Sequence, residues 1–146
     1  MGVKKNRNPK PKVSESQKRS DQYLRFSFRY ITSNKHYNFS YFSDMRIKLE
    51  AENAFINRLT ELSSNDWIHW SGQGKKTGFE TLPFNDDMQK KFTTYDWTQN
   101  SRKQVYVFRF KAGSYDYRII GIKENSDPTL YIIGFDFDHS AYDHGS

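Results

Sequence analysis

The most constraining feature of the sequence is its C-terminal third, where three β-rich runs follow one another. The runs are Val105 to Lys111, Tyr115 to Lys123 and Leu130 to Phe137. Residues that favour turns separate them, at Ala112 to Ser114 and at Glu124 to Pro128. Short turns between consecutive strands favour antiparallel pairing, so these runs predict a three-stranded antiparallel meander.

The first half of the chain predicts one strand and two helices. Residues 23–31 read YLRFSFRYI, and their alternation of apolar and polar side chains predicts a first strand. Apolar residues spaced by three or four predict a helix over residues 44–62, with Ser43 or Asp44 as its N-cap. Asp66 is a second cap signal before a short helix that ends at Trp70, and the two helices predict a hairpin.

The segment between the helices and the meander gives weaker signals. Residues 75–83 are bracketed by glycine and proline and predict a loop or an edge segment. Residues 85–100 show no clean period beyond a possible short helix. Taken together, the order of elements predicts an α+β domain over residues 21–146, with the helices covering one face of the sheet. A chain of 146 residues is the size of one ordinary domain.

Positive charge is concentrated at the N-terminus. Residues 1–20 hold seven of the 23 Lys and Arg residues and one of the 17 acidic residues, so the remainder carries 16 of each and is neutral. This segment has too few apolar side chains to offset chain entropy and predicts a disordered basic arm. It is either a solubilising leader or a contact for nucleic-acid phosphates. The residues expected to contact RNA are Lys4, Lys5, Arg7, Lys10 and Lys12.

Several classes of protein are excluded by what the sequence lacks. The chain has no cysteine, which rules out disulfides, thiolate nucleophiles and cysteine-based zinc motifs and favours a cytoplasmic location. No apolar run is long enough to span a membrane, and the N-terminus lacks the apolar centre of a signal peptide. No nucleotide or dinucleotide fingerprint is present, so no cofactor is expected.

The C-terminal third resembles the RelE/ParE superfamily of bacterial toxins. The resemblance rests on YRIIG over 117–121, on LYIIGF over 130–135 and on the His and Tyr that follow. It implies a RelE-like fold and, for the ribonuclease branch, cleavage of messenger RNA, commonly on the ribosome. It also implies a cognate antitoxin as a protein partner.

The same resemblance implies a set of site residues. Arg118 would contact the scissile phosphate, with Lys111 and Arg109 of the preceding strand, and Lys103 just before it, as further RNA contacts. His139 and Tyr142 would complete the set, because cleavage without a metal needs a proton carrier beside a cation. Histidine exchanges a proton near neutral pH, and tyrosine can orient that group or stack on a base.

Other interpretations stay open for the same residues. Arg118 can pair with Asp116 on its own strand, and His139 can be a surface residue of a turn. A mononuclear metal site is conceivable because five potential ligands lie close together, although their spacing matches no established zinc pattern. These ligands are Asp136, Asp138, His139, Asp143 and His144. The neutral charge outside the arm favours an alternative function, a non-catalytic module of the same fold that docks on a protein or nucleic acid.

Overall fold

The computed structural model describes residues 21–99, 104–124 and 126–142. The predicted arm over residues 1–20 lies outside them. Short 3-10 helices also occur at Phe39–Asp44, Gly74–Thr77 and Trp97–Gln99. In chain order the strands and α-helices are β1 (Arg25–Ser27), α1 (Lys48–Leu62), α2 (Trp67–Ser71), β2 (Phe79–Pro83), α3 (Asp86–Lys91), β3 (Gln104–Ala112), β4 (Tyr115–Lys123) and β5 (Thr129–Asp136).

The strands form one mixed sheet of five in the order β1-β5-β4-β3-β2. β1 is parallel to β5, whereas β2 with β3, β3 with β4 and β4 with β5 are antiparallel. The predicted α+β class is therefore confirmed. The pairing of β4 with β5 shifts register after Ile120, where Gly121 faces Ile132.

Each face of the sheet has its own apolar core. On one face Phe55 of α1 packs with Phe108, Ile119 and Phe135. On the other face Phe92 and Tyr37 pack over Val107, Ile120 and Ile133. Alternate strand residues point to opposite faces, which is why long apolar runs such as VYVFRF supply both cores. As expected, α1 and α2 cover one face of the sheet, and α3 with the loops beside it closes the second face.

The first predicted strand is shorter than its alternation suggests. Only Arg25–Ser27 pair with β5, and the chain turns immediately afterwards, where the N–H of Ile31 donates to the carbonyl of Phe28 at 3.1 Å. Phe28 is then 38% exposed. Alternation in residues 23–31 continues past the point at which the backbone leaves the sheet.

The long helix is confirmed, but it begins at Lys48 and not at residue 44. Ser43 and Asp44 belong to the preceding 3-10 helix, which is capped by Asn38, whose side chain accepts from the N–H of Ser40 at 2.8 Å. The N-cap position of α1 is Ile47, which makes no side-chain cap hydrogen bond. The predicted cap of the second helix is confirmed, since Asp66 accepts from the N–H of His69 at 2.8 Å.

The segment with weak sequence signals contains ordered elements. β2 is an edge strand of the sheet, consistent with the prediction of a loop or edge segment. The possible short helix is α3, whose N-cap Asn85 accepts from the N–H of Met88 at 3.0 Å. Beyond it the indole of Trp97 donates to the carbonyl of Phe92 at 2.9 Å, which fixes this segment against the second core. Among the described residues, no helix has the length and apolar character needed to cross a membrane.

Candidate active site

Two residues expected at the site, Arg118 and His139, are in contact. Arg118 lies on β4, and its Cα partners are Arg109 on β3 and Asp136 at the end of β5. His139 follows β5 by three residues, and the loop that carries it lies against the start of β4. Its Nε2 lies 3.2 Å from Nη1 of Arg118 and 3.1 Å from the carbonyl oxygen of Asp116.

The two neighbours of Nε2 of His139 suit its two tautomers. A guanidinium only donates hydrogen bonds, so an unprotonated Nε2 accepts from Arg118. A protonated Nε2 can instead donate to the carbonyl of Asp116. Both states therefore have a partner within hydrogen-bonding distance, and the ring is exposed to solvent.

The backbone at His139 adopts a costly conformation. Its φ of 64° makes it the non-glycine residue with positive φ in the described part of the chain. Such a conformation costs roughly 1 kcal/mol for a residue with a Cβ. The contacts of the surrounding loop therefore hold His139 in the left-handed conformation.

A buried carboxylate and a lysine hold the loop that carries His139. Asp136 is fully buried, and its Oδ1 accepts from the N–H groups of Ser140 at 3.0 Å and Ala141 at 3.3 Å. From the other side, Nζ of Lys91 donates to the carbonyl of Ser140 at 2.7 Å. The loop is thereby attached both to β5 and to α3.

Asp138 anchors the same loop to the N-terminal half of the chain. Its Oδ2 lies 2.6 Å from Nε2 of His36, and its Oδ1 accepts from the hydroxyl of Ser140 at 2.6 Å. Burial acts to raise the pKa of Asp138, but the hydrogen bonds from Ser140 and His36 outweigh it and place the pKa below its usual value. The carboxylate is therefore ionised at neutral pH.

The arginines of the site are paired with carboxylates. Oδ2 of Asp116 lies 3.5 Å from Nη2 of Arg118 and 3.8 Å from Nη1 of Arg109. Arg109 also lies 4.0 Å from Oε1 of Glu80, on β2. The side chain of Arg118 is only 8% exposed, whereas that of Arg109 is 30% exposed. Asp116 thus separates two guanidinium groups that face each other across adjacent strands.

Tyr142 contacts Glu80, which also pairs with Arg109. Its hydroxyl donates to Oε2 of Glu80 at 3.3 Å. Burial is the main reason that the pKa of Tyr142 is raised, and Glu80 and Asp136 add to the rise while Arg118 opposes it. The phenol therefore stays protonated at neutral pH. It can position other groups but does not accept a proton.

An aromatic cavity opens beside His139. Its volume is about 430 Å³, and Asp116 and His139 are part of its lining. Tyr115 is 52% exposed and stacks on Tyr117, with ring centroids 6.0 Å apart. Only Tyr115 of this pair is exposed, since Tyr117 is buried. The aromatic residues of the lining are Tyr41, Tyr115, Tyr117 and Phe137.

The structure places the other expected residues as follows. Lys111 is exposed at the end of β3 and is the Cα partner of Asp116. Lys103 lies outside the described residues, as do the five basic residues expected in the arm. The same holds for Asp143 and His144 of the conceivable metal site. Within the part of the chain that the structure describes, no three His, Asp or Glu side chains are grouped so as to hold a metal ion.

Three contributors to the site were not expected from the sequence. Glu80 carries no local signal, because its role depends on the pairing of β2 with β3. His36 is far from Asp138 in sequence and meets it only in the fold. The alternation of Tyr115 and Tyr117 does mark one strand face, and it could have indicated the aromatic lining.

No protein-family model matches this sequence, and no curated protein or solved structure matches the chain.

Proposed function

We propose that this protein is a metal-independent endoribonuclease, a toxin of the RelE type that cleaves messenger RNA on the ribosome and is neutralised by a cognate antitoxin. The observation that carries the proposal is the contact of His139 with Arg118 at 3.2 Å, and His139 also lines the aromatic cavity. A proton carrier, a cation and a stacking surface are what RNA cleavage without a metal needs.

In this proposal His139 takes the proton of the 2′-hydroxyl while the 2′-oxygen bonds to phosphorus. The bond from phosphorus to the 5′-oxygen then breaks, and the imidazolium returns the proton to that leaving oxygen. The products are a 2′,3′-cyclic phosphate and a 5′-hydroxyl. Arg118 stabilises the developing charge from beside the imidazole, and Lys111 and Arg109 bind neighbouring phosphates. Tyr142 holds Glu80, which pairs with Arg109, through its hydrogen bond.

The fold supports the same proposal. α1 and α2 follow β1, and β3, β4 and β5 are consecutive and antiparallel, as the resemblance to RelE/ParE proteins implies. Between α2 and β3 the chain adds β2, an edge strand beside β3, and the short helix α3.

A second candidate function is favoured by the charges. Both arginines of the site are paired with carboxylates, and Arg118 is largely buried. A site whose cations are already neutralised suits a non-catalytic module of the same fold that docks on a protein or nucleic acid.

The test is expression in bacteria with mapping of cleaved messenger RNA in the cells, followed by incubation of the purified protein with free RNA in the presence of a metal chelator. The proposal predicts that the wild type arrests growth and cleaves RNA, and that the His139→Gln variant does neither. The matched control is His69→Gln, because His69 lies on α2, away from the site. Absence of cleavage by the wild type, or equal cleavage by His139→Gln, would favour the docking module.

A further inference from the structure

A second and larger cavity lies on the other side of the turn between β3 and β4. It has a volume of about 1000 Å³ and runs between α1, the 3-10 helix Gly74–Thr77 and the end of β3. We infer that this groove binds the phosphate backbone of the single-stranded RNA that His139 cleaves. The inference rests on the proposed function and adds the surface along which the RNA substrate would bind.

The charge of the groove distinguishes it from the rest of the folded chain. Five cationic and two acidic residues line it, although the chain after residue 20 is neutral overall. A concave surface with an excess of one sign concentrates oppositely charged ligands. The cationic residues are Arg58, Lys75, Lys76, Arg109 and Lys111.

These cations divide into those that build the groove and those that are available to a ligand. Arg58 builds it, because its Nε donates to the carbonyl of Arg109 at 2.8 Å and its Nη2 to the carbonyl of Thr77. Its Nη1 pairs with Glu61 at 2.6 Å. By contrast, the lysines at 75, 76 and 111 are exposed and form no ion pair within the described ranges.

The edge of β3 adds backbone groups to the groove. The pairing of β2 with β3 ends at Phe79 and Phe108, so among the described residues no strand pairs with the last residues of β3 on that side. The N–H of Arg109 points to this side, where it donates to the carbonyl of Gly78 at 2.9 Å. Because backbone groups alternate along a strand, the N–H of Lys111 points the same way. Backbone N–H groups and lysines together are common phosphate contacts.

The groove and the cavity beside His139 flank the same β-hairpin. Lys111 of the groove and Asp116 of the aromatic cavity are Cα partners on adjacent strands, which lie about 5 Å apart. Between them the turn at Gly113 is open, since a Cβ built there would meet no atom within 4 Å. A single strand can therefore cross the turn with its phosphates on the lysines and a base on Tyr115.

The test measures binding of a fluorescent 2′-O-methyl RNA oligonucleotide, which cannot be cleaved, to the full chain at several salt concentrations. The variant is Lys75→Gln with Lys76→Gln. Its control is Arg25→Gln with Lys90→Gln, which removes the same charge from exposed residues that line neither cavity. Each phosphate contact to a single strand contributes about 0.7 to the slope of log affinity against log salt. The groove variant is expected to lose about 1.4 from the magnitude of this slope, and the control little.

An unchanged slope in the groove variant, or an equal loss in the control, overturns the inference. Oligoglutamate of similar length is a second probe. If it binds as tightly as the RNA and the groove variant abolishes that binding, the groove receives an acidic protein segment and the RNA path is wrong. Because the 2′-O-methyl RNA cannot be cleaved, the binding result is independent of whether His139 cleaves RNA.

Discussion

Nε2 of His139 and Nη1 of Arg118 lie 3.2 Å apart, although 21 residues separate them in the sequence. The contact exists because the loop after β5 lies against the start of β4, at Asp116 and Arg118. Asp136 holds this loop by accepting two hydrogen bonds from the N–H groups of Ser140 and Ala141, and Asp138 attaches it to His36. The geometry of the pair thus depends on the C-terminal loop as much as on the sheet.

The positive φ of His139 allows loss of function to be separated from loss of folding. His139→Gly relieves the backbone cost, so it should be more stable than His139→Ala by roughly 1 kcal/mol. Both variants should be inactive on RNA, because neither carries an imidazole. Urea denaturation gives the stabilities and a cleavage assay gives the activities. Equal stabilities would show that the left-handed conformation is not a constraint, and activity in the glycine variant would remove His139 from catalysis.

Asp116→Asn should destabilise the fold. The carboxylate lies between the guanidinium groups of Arg118 and Arg109, at 3.5 and 3.8 Å, and its loss leaves two like charges facing each other. We expect a loss of about 2 kcal/mol in the free energy of unfolding, less than for a fully buried pair because Arg109 is partly exposed. Urea denaturation measures it, with Asp21→Asn, an exposed aspartate on the chain before β1, as the control. A loss no larger than that of the control would contradict this account of the network.

Tyr142→Phe should lower cleavage only modestly, by a few-fold. The hydroxyl donates to Glu80 at 3.3 Å and its raised pKa keeps it protonated, so it contributes position and no proton transfer. General acid or base groups contribute about 100-fold or more, which sets the contrast with His139. The pH dependence of the cleavage rate should also be the same as in the wild type. A hundredfold loss, or a changed pH profile, would make the phenol a participant in the chemistry.

Asp138 should make stability depend on pH in the acidic range. Its pKa in the folded chain is lower than its usual value, so its contribution is present above the unfolded pKa of about 3.9 and is lost as pH falls through the folded value. Asp138→Asn should therefore be less stable than the wild type at neutral pH, and the difference should shrink as the solution becomes acidic. Denaturation series at neutral and acidic pH measure it. A difference that does not change with pH would show that the carboxylate charge is not what stabilises the loop.

The sequence predicted the α+β class because periodicity is a local property. The apolar spacing of α1 and the β-rich runs of the C-terminal third each specify an element without reference to the rest of the chain. The strand ends and helix starts were less predictable. Residue 44 looked like a cap, but Asn38 had already begun a 3-10 helix that ends there.

The site was predictable only in part, for the same reason. Arg118 and His139 were identified as a pair from the resemblance, yet the side chains that hold them came from distant segments. Glu80 reaches the network through the edge strand β2, and His36 reaches Asp138 across 102 residues of sequence. Such long-range contacts leave no periodic pattern, since they depend on how the strands are ordered in the sheet.

The most direct test of the proposed chemistry is the structure of the RNA ends after cleavage in a metal chelator. An RNA that carries one 2′-deoxy nucleotide at a mapped cleavage position provides the internal control. We predict a 2′,3′-cyclic phosphate and a 5′-hydroxyl with the wild type, no cleavage at the deoxy position, and at least a roughly hundredfold slower reaction with His139→Gln. Cleavage at the deoxy position, a requirement for added metal, or an unchanged rate in the His139 variant would contradict the account.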